Sequence, residues 1–257
     1  MTISDIYNRM MNSFYDLQGT GALLDLPVRI LADTEPEQTL RPDGDTPSSV
    51  SRPEYRVTAI LLDHHGEAYT EHPMDFDGTL REALTLPCSD DGIDARTIAA
   101  LNAAMSVLGQ CPGTFSDDPA VHQQYADAIC NYLIRNYGRS HIILVGYDGY
   151  FVKRFMEEEL DFWTMDRDPD HITKDRFNHV IVNSGKYNRE SCFAWGKIFV
   201  ITGSTLCNGT ITQYLDQGKD LLFYGITCAG ASRLDGKGFA LQDDPGHHIG
   251  EISCNSY

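Results

Sequence analysis

The sequence predicts an α/β protein of two units, an α+β unit over residues 1–138 and a parallel-sheet unit over residues 139–257. Three observations carry this. After Ser140, short apolar β-branched runs alternate with helix-like stretches, the pattern of parallel strands buried on both faces. Before it, helical apolar periods flank runs of β-formers, which suits a compact α+β unit. Finally, the apolar run Ile198 to Ile201 breaks abruptly into Thr202-Gly203-Ser204-Thr205, then Asn208 and Gly209. Open α/β sheets hold ligands beyond such strand ends, where Gly admits a close approach and hydroxyls or amides supply oriented hydrogen bonds.

The elements follow in order. Ile3, Ile6, Met10, Phe14 and Leu17 recur at three- and four-residue steps, giving an amphipathic opening helix that ends near Gly19 and Gly21. Val28 to Leu31 reads as a strand. Residues 33–53 are rich in Pro, Asp, Ser and Thr without apolar period, a surface loop that could serve as a lid. Arg56 to Leu62 favours a strand, and His64-His65-Gly66-Glu67 reads as a turn into Ala68 to Thr70, making a hairpin. Ile98, Leu101, Met105 and Leu108 place a helix over Asp94 to Gly109; Val121, Tyr125, Ile129 and Leu133 place another that Gly138 stops. Asn102 stands beside the first helix's apolar stripe. A buried amide must be paired, and a ligand in the cleft or a neighbouring loop could do so.

In the second unit His141 to Val145 is the first strand, and Gly146-Tyr147-Asp148-Gly149 turns into a helix carrying Val152, Phe155 and Met156. That turn lacks the G-x-G-x-x-G fingerprint. Leu160 to Met165 is the second strand. It ends in Asp166, placed like a ribose-binding carboxylate, although Asp166, Asp168, Pro169 and Asp170 also make an ordinary turn. Val180 to Val182, Ile198 to Ile201 and Leu221 to Ile226 complete the strands. Ile211, Tyr214 and Leu215, with Gly218 beyond, predict a helix after the hydroxyl cluster, whose N-terminus would favour an anionic or strongly polar ligand. Capping alone would also account for one or two of those hydroxyls. The candidate ligand-binding residues are therefore Gly146, Asp148, Asp166, Thr202, Gly203, Ser204, Thr205, Asn208 and Thr227, with Asn102 closing the open side.

A formal charge of −17 opposes nucleic-acid phosphates and anionic membrane surfaces. No apolar run approaches the ~20 residues of a membrane helix, and the opening residues lack a signal-peptide pattern, so a cytoplasmic location is expected. The acidic runs read as solvated surface. Seven cysteines occur without any CxxC pair, which opposes a disulfide framework or a zinc ribbon. Most read as small core residues, Cys130 among them. Cys207 and Cys228 fall in turns expected at the cleft and are candidate metal ligands; His247, His248 and Cys254 also have ligand chemistry, whereas His64 and His65 read as turn residues.

The strings VITGSTLCNGT (200–210), DLLFYGITCAGAS (220–232) and AALNAAM (99–105) together resemble the heavy-metal-chelation family, a domain of unknown function. The resemblance implies an enolase-N-terminal-like domain followed by a Rossmann-like domain, and metal-related handling of small molecules. The chain departs from many relatives at Gly225-Ile226-Thr227-Cys228, where they carry a Gly-Pro-Ser type turn, and in a longer connection over 183–196. The expected function is binding of a small polar or anionic ligand in the interdomain cleft, a metal or metal chelate among the candidates. The expected cofactor, if any, is a transition or heavy metal ion. The expected partner is a small-molecule or metal-chelate ligand, not nucleic acid or membrane, with a homo-oligomer left open. An enzyme using a nucleotide-like cofactor, a methyl donor or nicotinamide compound, is the alternative; an interaction module is the third reading.

Overall fold

The computed structural model describes residues 1–36, 53–111, 113–114, 118–167, 181–183 and 189–234. The chain opens with α1 (Ile3–Tyr15), capped by a reciprocal Thr2–Asp5 box, and its stripe Ile3, Ile6, Met10, Met11 and Phe14 is buried. A single turn, α2 (Thr20–Leu23), leads into β1 (Pro27–Ala32). With β2 (Tyr55–Leu61), β3 (His64–Thr70) and β4 (Phe76–Thr79) it forms an antiparallel sheet in the order β3-β2-β1-β4. Then follow α3 (Leu80–Leu84), the ribbon of β5 (Cys88–Ser89) and β6 (Gly92–Ile93), and α4 (Ala95–Val107).

The hairpin differs from the sequence reading in one respect. His64 already pairs with Leu61 and His65 with Ile60, so the turn lies at Leu62-Asp63, where Leu62 adopts φ 56°. Gly66 is not a turn glycine. A Cβ on it would stand 2.1 Å from the Ala103 nitrogen and 2.3 Å from the Ala99 carbonyl. It is glycine because α4 lies directly on β3, and the alanines of α4 keep that approach short.

The second sheet is built from β7 (Ile142–Val145), β8 (Phe162–Asp166), β9 (Ile181–Asn183), β10 (Ile198–Thr202) and β11 (Asp220–Tyr224), all parallel, in the order β11-β10-β7-β8-β9. The chain thus starts in the middle, runs outward over three strands, then returns to the other side of its first strand. Helices α5 (Pro119–Tyr137) and α6 (Gly149–Glu157) cover one face and α7 (Arg189–Trp195) lies on the other.

Alternation along the strands explains the two faces. Ile142, Leu144, Val200 and Leu222 pack with Ile129, Leu133, Phe151 and Phe155 of α5 and α6. Their neighbours Ile143, Val145, Phe199, Ile201 and Phe223 enter a second core that also holds α1, α4 and the antiparallel sheet. One continuous core therefore joins the two sheets, which is why every residue of β7 is apolar and buried. Helix α5 precedes the division expected at residue 138, yet it packs against α6.

The helix expected after the hydroxyl cluster is replaced by shorter pieces: α8 (Ser204–Cys207), a 3-10 turn (Thr210–Gln213) and a left-handed Asp216 at φ 59°. Gly209, at φ 72°, breaks the helix against the Asp90-Asp91 turn of the β5–β6 ribbon. The spacing of Ile211, Tyr214 and Leu215 misled because a 3-10 turn buries i and i+3 as well. After β11 come a second 3-10 turn (Ile226–Cys228) and α9 (Ala231–Leu234). Among the described residues no helix is long and apolar enough to cross a membrane. Residues 37–52, Asp168 to Val180, Ser184 and the His247-His248-Cys254 tail lie outside the described residues.

Candidate functional site

The carboxyl ends of β7, β8 and β10 meet where the strand order reverses. Gly146, after β7, has φ 90°, and a Cβ there would lie 2.8 Å from Thr202 Cγ2 and 3.0 Å from Tyr224 Oη. It lets the end of β7 close on the end of β10. Tyr224 Oη, buried beneath, donates to the Val145 and Gly146 carbonyls at 3.2 and 3.1 Å, and burial holds it well above the ordinary tyrosine range. Asp166, 8% exposed, accepts the Tyr147 N–H and ties the β7–α6 turn to β8.

Asp148 caps α6, its Oδ1 accepting from Tyr150 N at 2.8 Å and Phe151 N at 3.1 Å. Burial raises its carboxyl to about 6, against the lowering effect of those two N–H groups. The carboxylate stands where an incoming phosphate would meet the helix N-terminus.

On β10's side Gly203 N donates to Tyr224 O at 2.8 Å, and a Cβ on Gly203 would stand 2.5 Å from the Cys228 nitrogen. Ser204, 6% exposed, donates through Oγ to Glu54 Oε2 at 3.1 Å. Thr205 Oγ1 donates to the Thr202 carbonyl at 2.8 Å. Asn208 Oδ1 accepts from Thr210 N and Thr210 Oγ1 at 3.1 and 2.6 Å, a turn held by its own amide. Thr227 Oγ1 accepts from Tyr69 N at 3.1 Å, joining the second 3-10 turn to β3.

Asn102 is completely buried. Its Nδ2 donates to the carbonyls of Glu67, Ile226 and Thr227 at 2.8, 3.0 and 3.3 Å, and its Oδ1 accepts from Gly230 N at 2.8 Å. Of the two roles open from sequence, the loop-pairing one describes this geometry. Asn102 and Thr227 thus tie the turn after β11 to α4 and β3, and Asn208 closes its own turn, whereas Gly146, Asp148, Asp166, Thr202 and Ser204 lie at the carboxyl ends of β7, β8 and β10 or in the turns that follow them.

Sequence reasoning missed Glu54. It immediately precedes β2 and meets Ser204 across 150 positions of chain. Burial, then the charges of Asp166 and Glu71, raise its carboxyl to about 7, while Ser204 and Arg167 pull it down. Arg167 Nη1 pairs with Glu71 Oε1 at 3.0 Å on the same rim.

Cys228 is buried and its Sγ donates to the Tyr224 and Gly225 carbonyls at 3.2 Å each; burial raises the thiol to about 12. Burial, then the charges of Glu54 and Asp94, likewise raise Cys207. Among the described residues no three His, Cys, Asp or Glu side chains form a set able to hold a metal ion.

A family model described as "Putative heavy-metal chelation", a domain of unknown function (DUF364), matches residues 131–232. That span runs from α5 into α9 and contains the whole parallel sheet. No curated protein matches the chain. A solved structure, that of a protein with unknown function from the same family in Pyrococcus horikoshii, is similar at 15% identity and a TM-score of 0.48, over 93% of this chain and 82% of the other.

Proposed function

We propose that the chain binds a small polar ligand, with a metal chelate as the leading candidate, in the crevice beyond β7 and β10. The observation that carries this is the strand order. Read outward from β7, the sheet is 3-2-1-4-5 in strand sequence, with its reversal between β7 and β10. Adjacent connections leave such a reversal on opposite faces and open a crevice at the carboxyl ends, the usual ligand site of open α/β sheets. The same order supports a Rossmann-like reading of the parallel sheet, with the antiparallel unit as its enolase-N-terminal-like companion. Gly146, Asp148, Asp166, Thr202, Gly203, Ser204 and Thr205 form the site; Asn102, Asn208 and Thr227 hold its walls.

The family description supports the metal part of the reading. The described donors do not fit a bare ion held by side chains alone, because no three converge and the Cys228 thiol is engaged as a donor. A metal that arrives wrapped in its own chelator needs outer contacts only, and those the crevice offers. Cys207 and Cys228 would become ligands only by losing protons that burial holds on them.

A nucleotide-like cofactor is the second reading, favoured by Asp166 at the end of the strand next to β7. Thermal melting of the chain with Ni(II), Cu(II) and Zn(II), each free and as its histidine chelate, separates these readings. A higher melting temperature with a chelate than with the free ion is expected. Stabilisation by a methyl-donor or nicotinamide compound, with none by any metal form, would replace the first reading by the second.

A further inference from the structure

Asn208-Gly209 is the chain's one Asn-Gly pair. Asparagine before glycine is chemically labile, because no Cβ shields the glycine nitrogen from the side-chain carbonyl carbon. Gly209 N attacks Asn208 Cγ and bonds to it, the Cγ–Nδ2 bond breaks, and the amide departs as ammonia, taking the proton of the glycine N–H. The product is a five-membered succinimide. Water then opens it at either carbonyl, giving aspartate or, with the main chain rerouted through Cγ, isoaspartate.

The ring includes the Asn208 Cα–C bond, so Gly209 N must swing to the side of Cβ before the ring can close. Asn208 has ψ 9°, which leaves Gly209 N eclipsed with the Asn208 nitrogen and turned away from Cβ. Contacts on every side hold that torsion. Asn208 Oδ1 accepts from Thr210 N at 3.1 Å and from Thr210 Oγ1 at 2.6 Å. The flanking groups are tied as well: Asn208 N donates to Ser204 O at 3.1 Å, and Gly209 O accepts from Thr212 Oγ1 at 3.1 Å. The β5–β6 ribbon closes the remaining side. A Cβ on Gly209 would stand 2.7 Å from the Asp90 carbonyl oxygen and 2.8 Å from the Asp91 carbonyl carbon. One on Gly92 would stand 2.2 Å from the Cys207 carbonyl oxygen and 2.9 Å from Gly209 N. Backbone lies directly on backbone here, so the peptide rotates only when the ribbon and the turn after α8 separate.

We infer that Asn208-Gly209 is a latent deamidation site that the fold holds closed, and that its conversion records the parting of the α8 turn from the β5–β6 ribbon. The inference is independent of what the crevice binds. The closed turn does not react, so the folded chain deamidates at the unfolded chain's rate multiplied by the fraction of time the turn stands open. Isoaspartate adds a carbon to the main chain, which removes Gly209 from its seat against Asp90 and Asp91. The change is therefore one-way, and it falls at the C-terminal end of the helix that carries Ser204 and Thr205.

The test is incubation of the full chain in mildly alkaline buffer, native and in concentrated urea, followed by peptide mass spectrometry. Conversion is read from the mass gained when NH2 is exchanged for OH, with the isoaspartyl peptide separated by chromatography. Asn208 is expected to deamidate at least about tenfold more slowly in the native chain than in urea, since a packed turn opens to a small fraction. Thr210→Val removes the 2.6 Å hydrogen bond and is expected to speed the native reaction about fivefold, the worth of one hydrogen bond, without changing the rate in urea. Thr210→Ser keeps the hydroxyl and should keep the natural rate; melting curves confirm that both variants are folded. Protection below about tenfold, or a native rate that Thr210→Val leaves unchanged, would overturn the inference.

Discussion

Replacing Asn102 by alanine separates a bracing role from a ligand contact. The amide is completely buried and joins three pieces of chain: α4, which carries it, β3 through the Glu67 carbonyl, and the turn after β11 through Ile226, Thr227 and Gly230. Alanine leaves the Gly230 N–H without its 2.8 Å partner in a buried setting, at about 1–3 kcal/mol. The Glu67 and Ile226 carbonyls lose donors at 2.8 and 3.0 Å, a smaller cost because a carbonyl has a second lone pair. Together with the small cavity, the expected loss is about 4 kcal/mol. At roughly 2–4 °C per kcal/mol for a chain of this size, melting falls by about 10 °C. Urea unfolding of the ligand-free protein measures it directly, with the m-value expected to stay the same. A loss below about 1 kcal/mol at unchanged m would refute the bracing role.

Gly66→Ala places a methyl 2.1 Å from the Ala103 backbone nitrogen, which cannot swing aside, so a loss above about 3 kcal/mol in urea unfolding is expected. Gly21→Ala, with nothing within 4 Å of its Cβ, is the contrast and should be neutral or slightly stabilising. Glu54 and Asp148 are raised from 4.5 to about 7 and from 3.8 to about 6, so the folded chain holds protons that the unfolded chain has released. Their contribution to stability is therefore greatest below about pH 4 and declines as pH rises toward 7. Glu54 accounts for roughly 1–2 kcal/mol of that decline after allowance for solvent screening, and Glu54→Gln should flatten it; an unchanged slope between about pH 5 and 8 would contradict the assignment. With burial holding Cys111 and Cys228 at about 12 and Cys130 at about 11, iodoacetamide should leave all three unmodified in the folded protein at neutral pH. Rapid labelling of Cys228, read by peptide mass spectrometry, would show its thiol is not held as described.

The parallel strands were legible because burial on both faces forces continuous apolar runs, and Ile198 to Ile201 identifies β10 to within one residue. The opening helix and α4 were legible from their periods. What failed did so for non-local reasons. Gly66 reads as a turn residue until α4 is seen lying on it. The stretch after Asn208 reads as helix until the β5–β6 ribbon is seen forcing Gly209 into a left-handed conformation. The strands β4, β5 and β6 are only four, two and two residues long, too short for an alternation to register. Within the site, the hydroxyl cluster was visible as residue types, but the direction of each hydrogen bond was not. Glu54 carries no local signal, since its meaning comes from Ser204, 150 positions away.

The central claim, that the β7–β10 crevice is the ligand site, is tested most directly by native mass spectrometry of the chain purified without chelator, beside a Ser204→Trp variant that fills the crevice. The account predicts a small-molecule or metal-chelate mass retained by the natural chain, lost on denaturation and missing from the folded variant. A retained mass that Ser204→Trp leaves in place would locate the ligand elsewhere and contradict the account.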